Sequence, residues 1–304
     1  MIDRDSVIET HELTKRYGDF EAVRAISFRV TGGRITGFLG RNGAGKSSTI
    51  KMLLGMITPT SGTGIVLGYR IDDPKQSLLI RQRVAYVGED KGLYAYLSVK
   101  ELIRFTRSFY PDWRQDIEER LMQNYQLPQH RKVKALSKGM RTKLALLLAL
   151  ARRPALLILD EPTEGLDPVS IEELLQALAG ITAEGTAVFF SSHQLSEVER
   201  IADSILMIDR GRLVLDISLD NLRENYRRIT VGFNTQPPDA EFRIPGVERV
   251  RASGRQLTVL ASRNANAIVE RAHSLSAVSV EVEPVSLREI FLDTVQLDPA
   301  AEKR

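Results

Sequence analysis

The residues best suited to chemistry lie in a glycine-rich loop near the N-terminus. Residues 40–47 read G-R-N-G-A-G-K-S and match the phosphate-loop pattern G-x-x-x-x-G-K-[ST] at each fixed position. Glycines let successive backbone N–H groups approach a phosphate, and a helix that starts at the loop adds the positive end of its dipole. We expect Lys46 to reach the β- and γ-phosphates and the Ser47 hydroxyl to bind Mg²⁺. The sequence therefore predicts a nucleoside triphosphate site.

The segments that flank the loop support this prediction. Residues 34–39 are mostly apolar and predict a buried strand, and residues 48–54 predict a helix. This order of strand, loop and helix is the context in which the motif binds phosphate, whereas an ordinary glycine-rich turn is the alternative. The predicted nucleotide-binding residues of this segment are Gly40, Asn42, Gly43, Ala44, Gly45, Lys46, Ser47 and Ser48.

A second group of candidates follows two apolar segments. Residues 155–159 are continuously apolar, as in a strand that is buried on both faces, and they end in Asp160 and Glu161. One carboxylate can hold Mg²⁺, and the next can orient and polarise an attacking water. His193 follows the predicted strand 186–190 and can donate to the γ-phosphate or to that water. Taken alone, this acidic pair is typical of a solvated turn and the histidine of a structural residue, so the phosphate loop carries the interpretation. The predicted catalytic residues are Glu161, His193 and Lys46.

An aromatic residue precedes the phosphate loop. Tyr17 lies in a polar segment shortly before the predicted strand 34–39, and an exposed ring there could stack on a nucleobase. From this residue alone, a tyrosine packed at the surface is an equally good interpretation.

Composition defines the class of protein. The 304 residues suffice for two domains, and 43% hydrophobic with 27% charged residues is typical of a soluble globular protein. The net charge of +3 and the pI near 9.1 give little reason to expect nucleic acid as a partner and are compatible with a weak attraction to anionic lipids. The chain has no cysteine, which excludes disulfides, thiolate metal sites and thiol catalysis and fits a reducing cytosol.

The sequence shows no membrane segment. No signal peptide is visible at the N-terminus, and no apolar run reaches the roughly 18 residues that a spanning helix needs. The strongest candidate, residues 144–151, is too short and predicts a buried helix instead. We therefore expect any membrane role to act through a partner.

The order of predicted elements indicates two domains. Strands and helices alternate up to about residue 217, which predicts an α/β domain at residues 1–217. Helical periodicity over residues 93–126 predicts a helical subdomain at about 90–150. Beyond residue 217, alternating strand patterns mixed with two helices predict a small α+β domain at 218–304, for which we expect a regulatory or dimer-forming role.

Together these motifs resemble the ATP-binding subunits of ABC transporters over roughly residues 5–217. The most discriminating segment is L-S-K-G-M at residues 136–140, which is similar to the family signature LSGGQ. Residues 164–167 resemble the D-loop, residues 191–193 resemble the switch-histidine loop, and Tyr17 falls at the position of the adenine-stacking aromatic. The resemblance implies a P-loop NTPase fold of the ABC ATPase type with a helical subdomain, and an enzyme that hydrolyses ATP with Mg²⁺.

The signature departs from the family pattern at two positions. Lys138 replaces a glycine and Met140 replaces a glutamine, while Ser137 and Gly139 are kept. The resemblance implies that Ser137 and Gly139 face the γ-phosphate of a nucleotide held by a partner subunit. Lys138 adds positive charge close to that site.

The Q-loop also departs from the pattern. Glu89 stands where the family has glutamine, and a carboxylate there can still meet Mg²⁺ or its water. By the resemblance, Glu89, Asp160 and Ser47 are the expected metal ligands. A glutamate here and the short tail domain resemble the drug, lantibiotic and polysaccharide export branches, including the YtrB-like branch.

The resemblance implies a head-to-tail dimer, either of two copies or of this chain with a related ATPase. Each ATP is expected between the phosphate loop of one subunit and the signature of the other. Residues 93–126 are expected to dock a membrane permease subunit. The protein is then cytoplasmic and peripheral on the inner face of the cell membrane, with no nucleic acid as partner.

Two other classes of protein are alternatives to a transporter subunit. Soluble ABC ATPases that act on ribosomes or DNA usually carry two ATPase domains or long coiled-coil insertions, whereas this chain has one set of motifs and no heptad run. Kinases and P-loop GTPases have no use for the signature, and the N-K-x-D segment that specifies the base in GTPases is missing.

Overall fold

The structure is a computed structural model that describes residues 5–295. The chain divides into two compact units, Met1–Asp216 and Ile217–Arg304. No helix within residues 5–295 is both long enough and apolar enough to cross a membrane.

A six-stranded sheet forms the centre of the first unit. Its strands lie in the spatial order β10-β9-β3-β8-β7-β6. Their bounds are β3 Ile35–Leu39, β6 Val84–Val87, β7 Leu156–Asp160, β8 Ala187–Ser192, β9 Ser204–Asp209 and β10 Arg212–Ser218. The pairs β3–β8, β3–β9, β7–β8 and β6–β7 are parallel. Strands β3, β7 and β8 are buried at every residue, which explains why they are mostly apolar until their ends.

A second sheet of the first unit is antiparallel and has the order β2-β1-β4-β5. Its strands are β1 Ser6–Tyr17, β2 Phe20–Thr31, β4 Ser61–Val66 and β5 Tyr69–Arg70. One apolar core joins this sheet to the six-stranded one, and the rings of Phe28, Phe38 and Phe189 meet there with centroids 5.3–6.2 Å apart. Strand β1 continues to Tyr17, into the segment that the sequence predicts to be a polar loop, because Tyr17 pairs with Phe20 across the turn.

Seven helices of the first unit lie within the described residues. They are α1 Lys46–Leu53, α2 Pro74–Arg83, α3 Val99–Arg107, α4 Gln115–Asn124, α5 Lys138–Leu150, α6 Pro168–Ala183 and α7 Leu195–Ile201. The predicted helical insertion is α3 and α4, preceded by an irregular segment over residues 91–98. Helix α3 starts late because Ser98 and Glu101 form a capping box and because Lys91 and Gly92 have positive φ angles of 59° and 54°.

Up to residue 295, the last that the structure describes, the second unit combines one antiparallel sheet with three α-helices. The sheet has the order β12-β13-β11-β14, with β11 Arg227–Gly232, β12 Val247–Ser253, β13 Gln256–Ala261 and β14 Ser279–Pro284. The helices are α8 Leu219–Asn225, α9 Ala265–Ser274 and α10 Leu287–Val295. Ile229, Val259 and Ile268 belong to a separate apolar core. A capping box precedes the last helix, because the Ser286 N–H donates to Glu289 and the Glu289 N–H donates to Ser286 Oγ.

Candidate active site

The predicted catalytic motifs meet at one edge of the six-stranded sheet. Strands β3, β7 and β8 are parallel neighbours, so their carboxyl ends lie side by side. A cleft of about 610 Å³ opens in front of them. Its lining residues are Tyr17, Phe20, Ala22, Arg41, Asn42, Gly43, Gly45, Lys46, Ser47, Ser48, Glu89, Glu161, Glu164 and His193. The fold therefore gathers most of the predicted residues into one cleft, with Gly40, Ala44 and Asp160 adjoining it in the chain.

The phosphate loop requires glycine at two positions. Gly45 has a φ of +112°, and a Cβ there would lie 2.5 Å from the Ala22 carbonyl oxygen. A Cβ at Gly40 would lie 2.6 Å from the Ile208 carbonyl oxygen. Helix α1 starts directly after Gly45 with Lys46, and the Thr49 N–H donates to the Gly45 carbonyl. The first turn of a helix thus opens towards the cleft, as an anion site requires.

Lys46 is buried, and its ammonium already contacts oxygen atoms of its own subunit. Its ammonium donates to the carbonyl oxygens of Gly40 at 2.7 Å and Arg41 at 3.3 Å. It also lies 3.0 Å from Glu161 Oε1, an ion pair in which both side chains are at most one-tenth exposed. A triphosphate that binds Lys46 has to take the ammonium from Glu161.

Glu161 is held from three sides. His193 Nδ1 lies 2.8 Å from Glu161 Oε2, and the Glu161 backbone N–H donates to Ser191 Oγ at 3.0 Å. Glu161 has a φ of 48°, a conformation that is costly for a residue with a long side chain. Oε1 is buried and accepts no well-aligned hydrogen bond from the described part of the chain. Glu161 thus lines the cleft from a strained backbone position.

Asp160 lies one residue earlier and is fixed by the neighbouring strand. In the parallel register Asp160 pairs with Ser191, whose hydroxyl donates to Asp160 Oδ1 at 2.7 Å. Since the same Ser191 oxygen accepts from Glu161, one hydroxyl orients both acidic residues. Motif spacing did not indicate this role for Ser191, although the residue stands at a predicted strand end.

A buried glutamate supports the loops behind the site. Glu197 in α7 is 4% exposed, and its Oε2 accepts from Thr163 Oγ1 at 2.8 Å and from Ser192 Oγ at 2.9 Å. This contact ties the loop after β7 to the end of β8. The sequence gives no signal for it, because Glu197 falls among polar residues of a short helix.

The donor set fits Mg²⁺ only together with a nucleotide. Ser47 and Glu89 line the cleft, and Asp160 keeps its second carboxylate oxygen besides the one that Ser191 occupies. Within residues 5–295 no group of three or more His, Cys, Asp or Glu side chains could hold a metal ion. Mg²⁺ commonly uses one or two carboxylates and completes its shell with water and substrate phosphates. These oxygen donors therefore fit a magnesium–nucleotide complex.

Glu89 and Glu164 form a carboxyl pair at the side of the cleft. Repulsion by the charge of Glu164 raises the pKa of Glu89, assisted by burial and by a hydrogen bond between the two groups. The hydrogen bond from Lys138 lowers the pKa of Glu164. Glu164 was not a predicted site residue.

Two aromatic side chains flank the entrance. Tyr17 is 48% exposed and Phe20 is 61% exposed, and both line the cleft. The Lys15 ammonium lies 5.2 Å from the centroid of the Tyr17 ring. Phe20 was missed by sequence reasoning, although the Gly18-Asp19 turn that brings it opposite Tyr17 is a recognisable hairpin signal.

The signature residues do not line this cleft. Ser137 is the N-cap of α5, and its Oγ accepts from the Met140 N–H at 3.1 Å. A Cβ at Gly139 would meet only ordinary contacts, the shortest 3.5 Å to Leu166. Packing within the subunit therefore gives no steric reason for a glycine at this position.

Comparison with known proteins identifies the family. The model of the ABC transporter family matches residues 23–164. The bacitracin transport ATP-binding protein BcrA of Bacillus licheniformis is 37% identical over 227 residues, 73% of each chain. The ABC transporter ATP-binding protein YtrB of Bacillus subtilis is 30% identical over 287 residues, which cover 94% of this chain and 97% of that one.

Solved structures agree with these relatives. An ATP-binding subunit of an ABC transporter is 31% identical with a TM-score of 0.65, and the match covers 71% of this chain and 92% of that one. An ATP-binding cassette solved as a dimer with ADP and phosphate is 20% identical, with a TM-score of 0.63. The match covers 70% of this chain and 98% of that one, and it supports the fold alone. With its phosphate loop, acidic strand end and signature on this fold, the chain belongs to the ABC transporter family as an ATP-binding and ATP-hydrolysing subunit.

Proposed function

We propose that this chain drives export through a separate membrane permease by ATP-dependent closure of a dimer. One observation carries the proposal: Lys46, Glu161 and His193 share one cleft, while Ser137 and Gly139 do not line it. A head-to-tail dimer supplies what each cleft lacks, because the signature of one subunit then covers the nucleotide of the other. The partner is a second copy or a related ATPase.

Nucleotide binding changes the partners of Lys46. The triphosphate takes the ammonium from Glu161, which frees Oε1 for an attacking water. Glu161 accepts a proton as the water oxygen bonds to the γ-phosphorus and the bond to the β–γ bridging oxygen breaks. The products are ADP and inorganic phosphate.

The other site residues hold this arrangement in place. His193 fixes the orientation of the Glu161 carboxylate and presents its second ring nitrogen to the γ-phosphate. Ser47, Glu89 and Asp160 would hold Mg²⁺, which would supply positive charge against the phosphates. Tyr17 and Phe20 offer ring faces to the base, with the backbone N–H groups of the loop facing the phosphates.

The proposed permease contact lies on the helical insertion. Tyr94, Tyr96, Phe105 and Phe109, here called the aromatic surface, are 43–67% exposed. The Tyr94 ring contacts the rings of Tyr96 and Phe105, with centroids 6.0 and 5.5 Å apart, and the Phe105 and Phe109 centroids are 5.1 Å apart. Contiguous exposed rings favour contact with a partner over contact with water. We assign this surface to an apolar segment on the cytoplasmic side of the permease.

The direction of transport rests on the relatives. One of them is named for bacitracin transport, and a cell benefits from moving an antibiotic outwards. Export from the cytoplasmic face of the membrane is therefore the proposed activity.

The substitution Glu161→Gln tests the dimer and the catalytic role together. We expect ATP turnover to fall at least about 100-fold, because the general base is lost. ATP binding persists, and light scattering with ATP and Mg²⁺ shows a dimer that ADP does not produce. A variant that hydrolyses ATP at the normal rate, or stays monomeric with ATP, contradicts the proposal.

Co-purification tests the permease contact. The double substitution Phe105→Ser and Phe109→Ser is expected to abolish recovery of a polytopic membrane protein from detergent extracts while ATP-dependent dimerisation persists. Leu78→Ser is the matched control, since Leu78 is 53% exposed on α2, away from the aromatic surface. Equal recovery of the membrane protein by both variants rules out this docking surface.

A further inference from the structure

Lys138 forms a contact that the family signature lacks. It is the first residue of α5, directly after the cap Ser137, and its ammonium donates to Glu164 Oε1 at 3.2 Å. The two side chains are 47% and 41% exposed. The signature of this chain is thus tied to the loop that follows the catalytic strand β7.

Lys138 does not stabilise α5, the helix to which it belongs. A positive charge in the first turn opposes the helix dipole, and α5 has no acidic residue in that turn to offset it. The charge of Lys138 is instead compensated by Glu164, which lies outside the helix. The placement indicates a role in binding an anion rather than in stabilising α5.

The backbone next to Glu164 is shaped to receive the lysine. Gly165 has a φ of +72°, and a Cβ there would lie 2.5 Å from Lys138 Cδ and 2.9 Å from its Nζ. The side chain of Lys138 therefore lies directly against the Gly165 backbone. A larger residue at position 165 would displace it.

A second cation acts on Glu164 besides Lys138. The charge of Lys91 also lowers the pKa of Glu164 and so favours its ionised form. Glu164 lines the nucleotide cleft of its own subunit. One carboxylate therefore connects the signature of a subunit with the nucleotide site of the same subunit.

We propose that Glu164 holds Lys138 in the resting subunit and releases it to the γ-phosphate of the nucleotide bound by the partner subunit. Lys138 is then an additional binding residue for the partner's ATP, and Glu164 competes with that ATP for it. The inference rests on the proposed function, in which Ser137 and Gly139 face the partner's nucleotide. A lysine on a flexible stem suits such an exchange, because it binds carboxylate and phosphate alike as a point charge.

The two partners of the pair then have opposite effects on the dimer. Removing Lys138 removes an attraction to the triphosphate, so the closed dimer weakens. Removing the charge of Glu164 removes the group that competes with the triphosphate for Lys138, so the closed dimer is stabilised. Exposed ion pairs are weak, so each change amounts to about two- to fivefold in the dimer dissociation constant.

The experiment measures ATP-dependent dimerisation by sedimentation of the full chain that carries Glu161→Gln. Lys138→Met is expected to raise the dimer dissociation constant and Glu164→Gln to lower it. The double variant should match Lys138→Met alone, because Glu164 acts only through Lys138. Lys138→Arg keeps the charge and should restore dimerisation.

A matched control uses another lysine of the same helix. Lys143 pairs with Glu173 inside the subunit at 2.7 Å, and Lys143→Met should leave the dimer constant unchanged. If Glu164→Gln weakens the dimer as Lys138→Met does, the pair is a structural latch and the proposal is wrong. It is equally wrong if Glu164→Gln keeps its effect without Lys138. Failure of the Glu161→Gln parent to dimerise would instead contradict the proposed function itself.

Discussion

Two lysine–glutamate ion pairs in this subunit have nearly the same nitrogen–oxygen distance, but one pair is buried and the other is exposed. Lys46 and Glu161 lie 3.0 Å apart with side chains 6% and 10% exposed. Lys138 and Glu164 lie 3.2 Å apart with side chains 47% and 41% exposed. Distance alone therefore does not distinguish the ion pair at the catalytic centre from the one at the signature.

Burial determines what each pair contributes. Removing one partner of a buried pair leaves a charge without compensation in a medium of low polarity and is strongly destabilising. An exposed pair is screened by water and contributes little to stability. In our proposals the buried pair fixes the geometry for catalysis, whereas the exposed pair exchanges partners at low cost.

The largest expected effect follows from removing the buried ammonium. Lys46→Met leaves Glu161 buried without its cation, so we expect the free energy of unfolding to fall by about 3 kcal/mol in urea denaturation. ATP turnover should be abolished, because no ammonium meets the phosphates. The double variant Lys46→Met with Glu161→Gln should recover most of the lost stability, since no buried charge remains. If the single variant is as stable as the parent, the buried pair has no structural role.

A smaller effect is expected at the histidine that contacts the same carboxylate. His193→Ala leaves the ion pair with Lys46 intact but frees Glu161 Oε2, so steady-state turnover should fall at least about tenfold. Nucleotide affinity, measured by calorimetry, should change by less than about threefold. Unchanged turnover would show that His193 does not position Glu161.

The smallest effect on stability is expected at the exposed pair. Lys138→Met should change the free energy of unfolding of the nucleotide-free chain by less than about 0.5 kcal/mol. Urea denaturation beside Lys46→Met, in the same buffer, measures the contrast directly. A loss comparable to that of Lys46→Met would remove the distinction between the two pairs.

The sequence allowed site residues to be predicted where the signal is local. The phosphate loop is a short motif, and its glycines are required by the local backbone conformation. Residues 40–48 could therefore be predicted without knowledge of the fold. Asp160, Glu161 and His193 could be assigned because apolar strands end directly before them. The family and the α/β fold followed from the order of these motifs and are confirmed by the relatives and the solved structures.

Other features were not predictable because they depend on contacts between distant segments. Ser191 orients Asp160 and Glu161 only because β7 and β8 are parallel and in register. Glu197 supports the loops only because α7 packs behind them. The late start of α3 is different, because it follows from a local capping box at Ser98 and Glu101, an S-x-x-E pattern that is visible in the sequence.

By itself, the sequence predicted a triphosphate site at residues 40–48 and indicated which side chains have the chemistry to hydrolyse ATP. Only the tertiary structure decided that Lys46 faces Glu161 and that Lys138 faces Glu164. The physical reason is that a motif specifies local backbone geometry, whereas an ion pair and its burial depend on how separate strands and helices pack together.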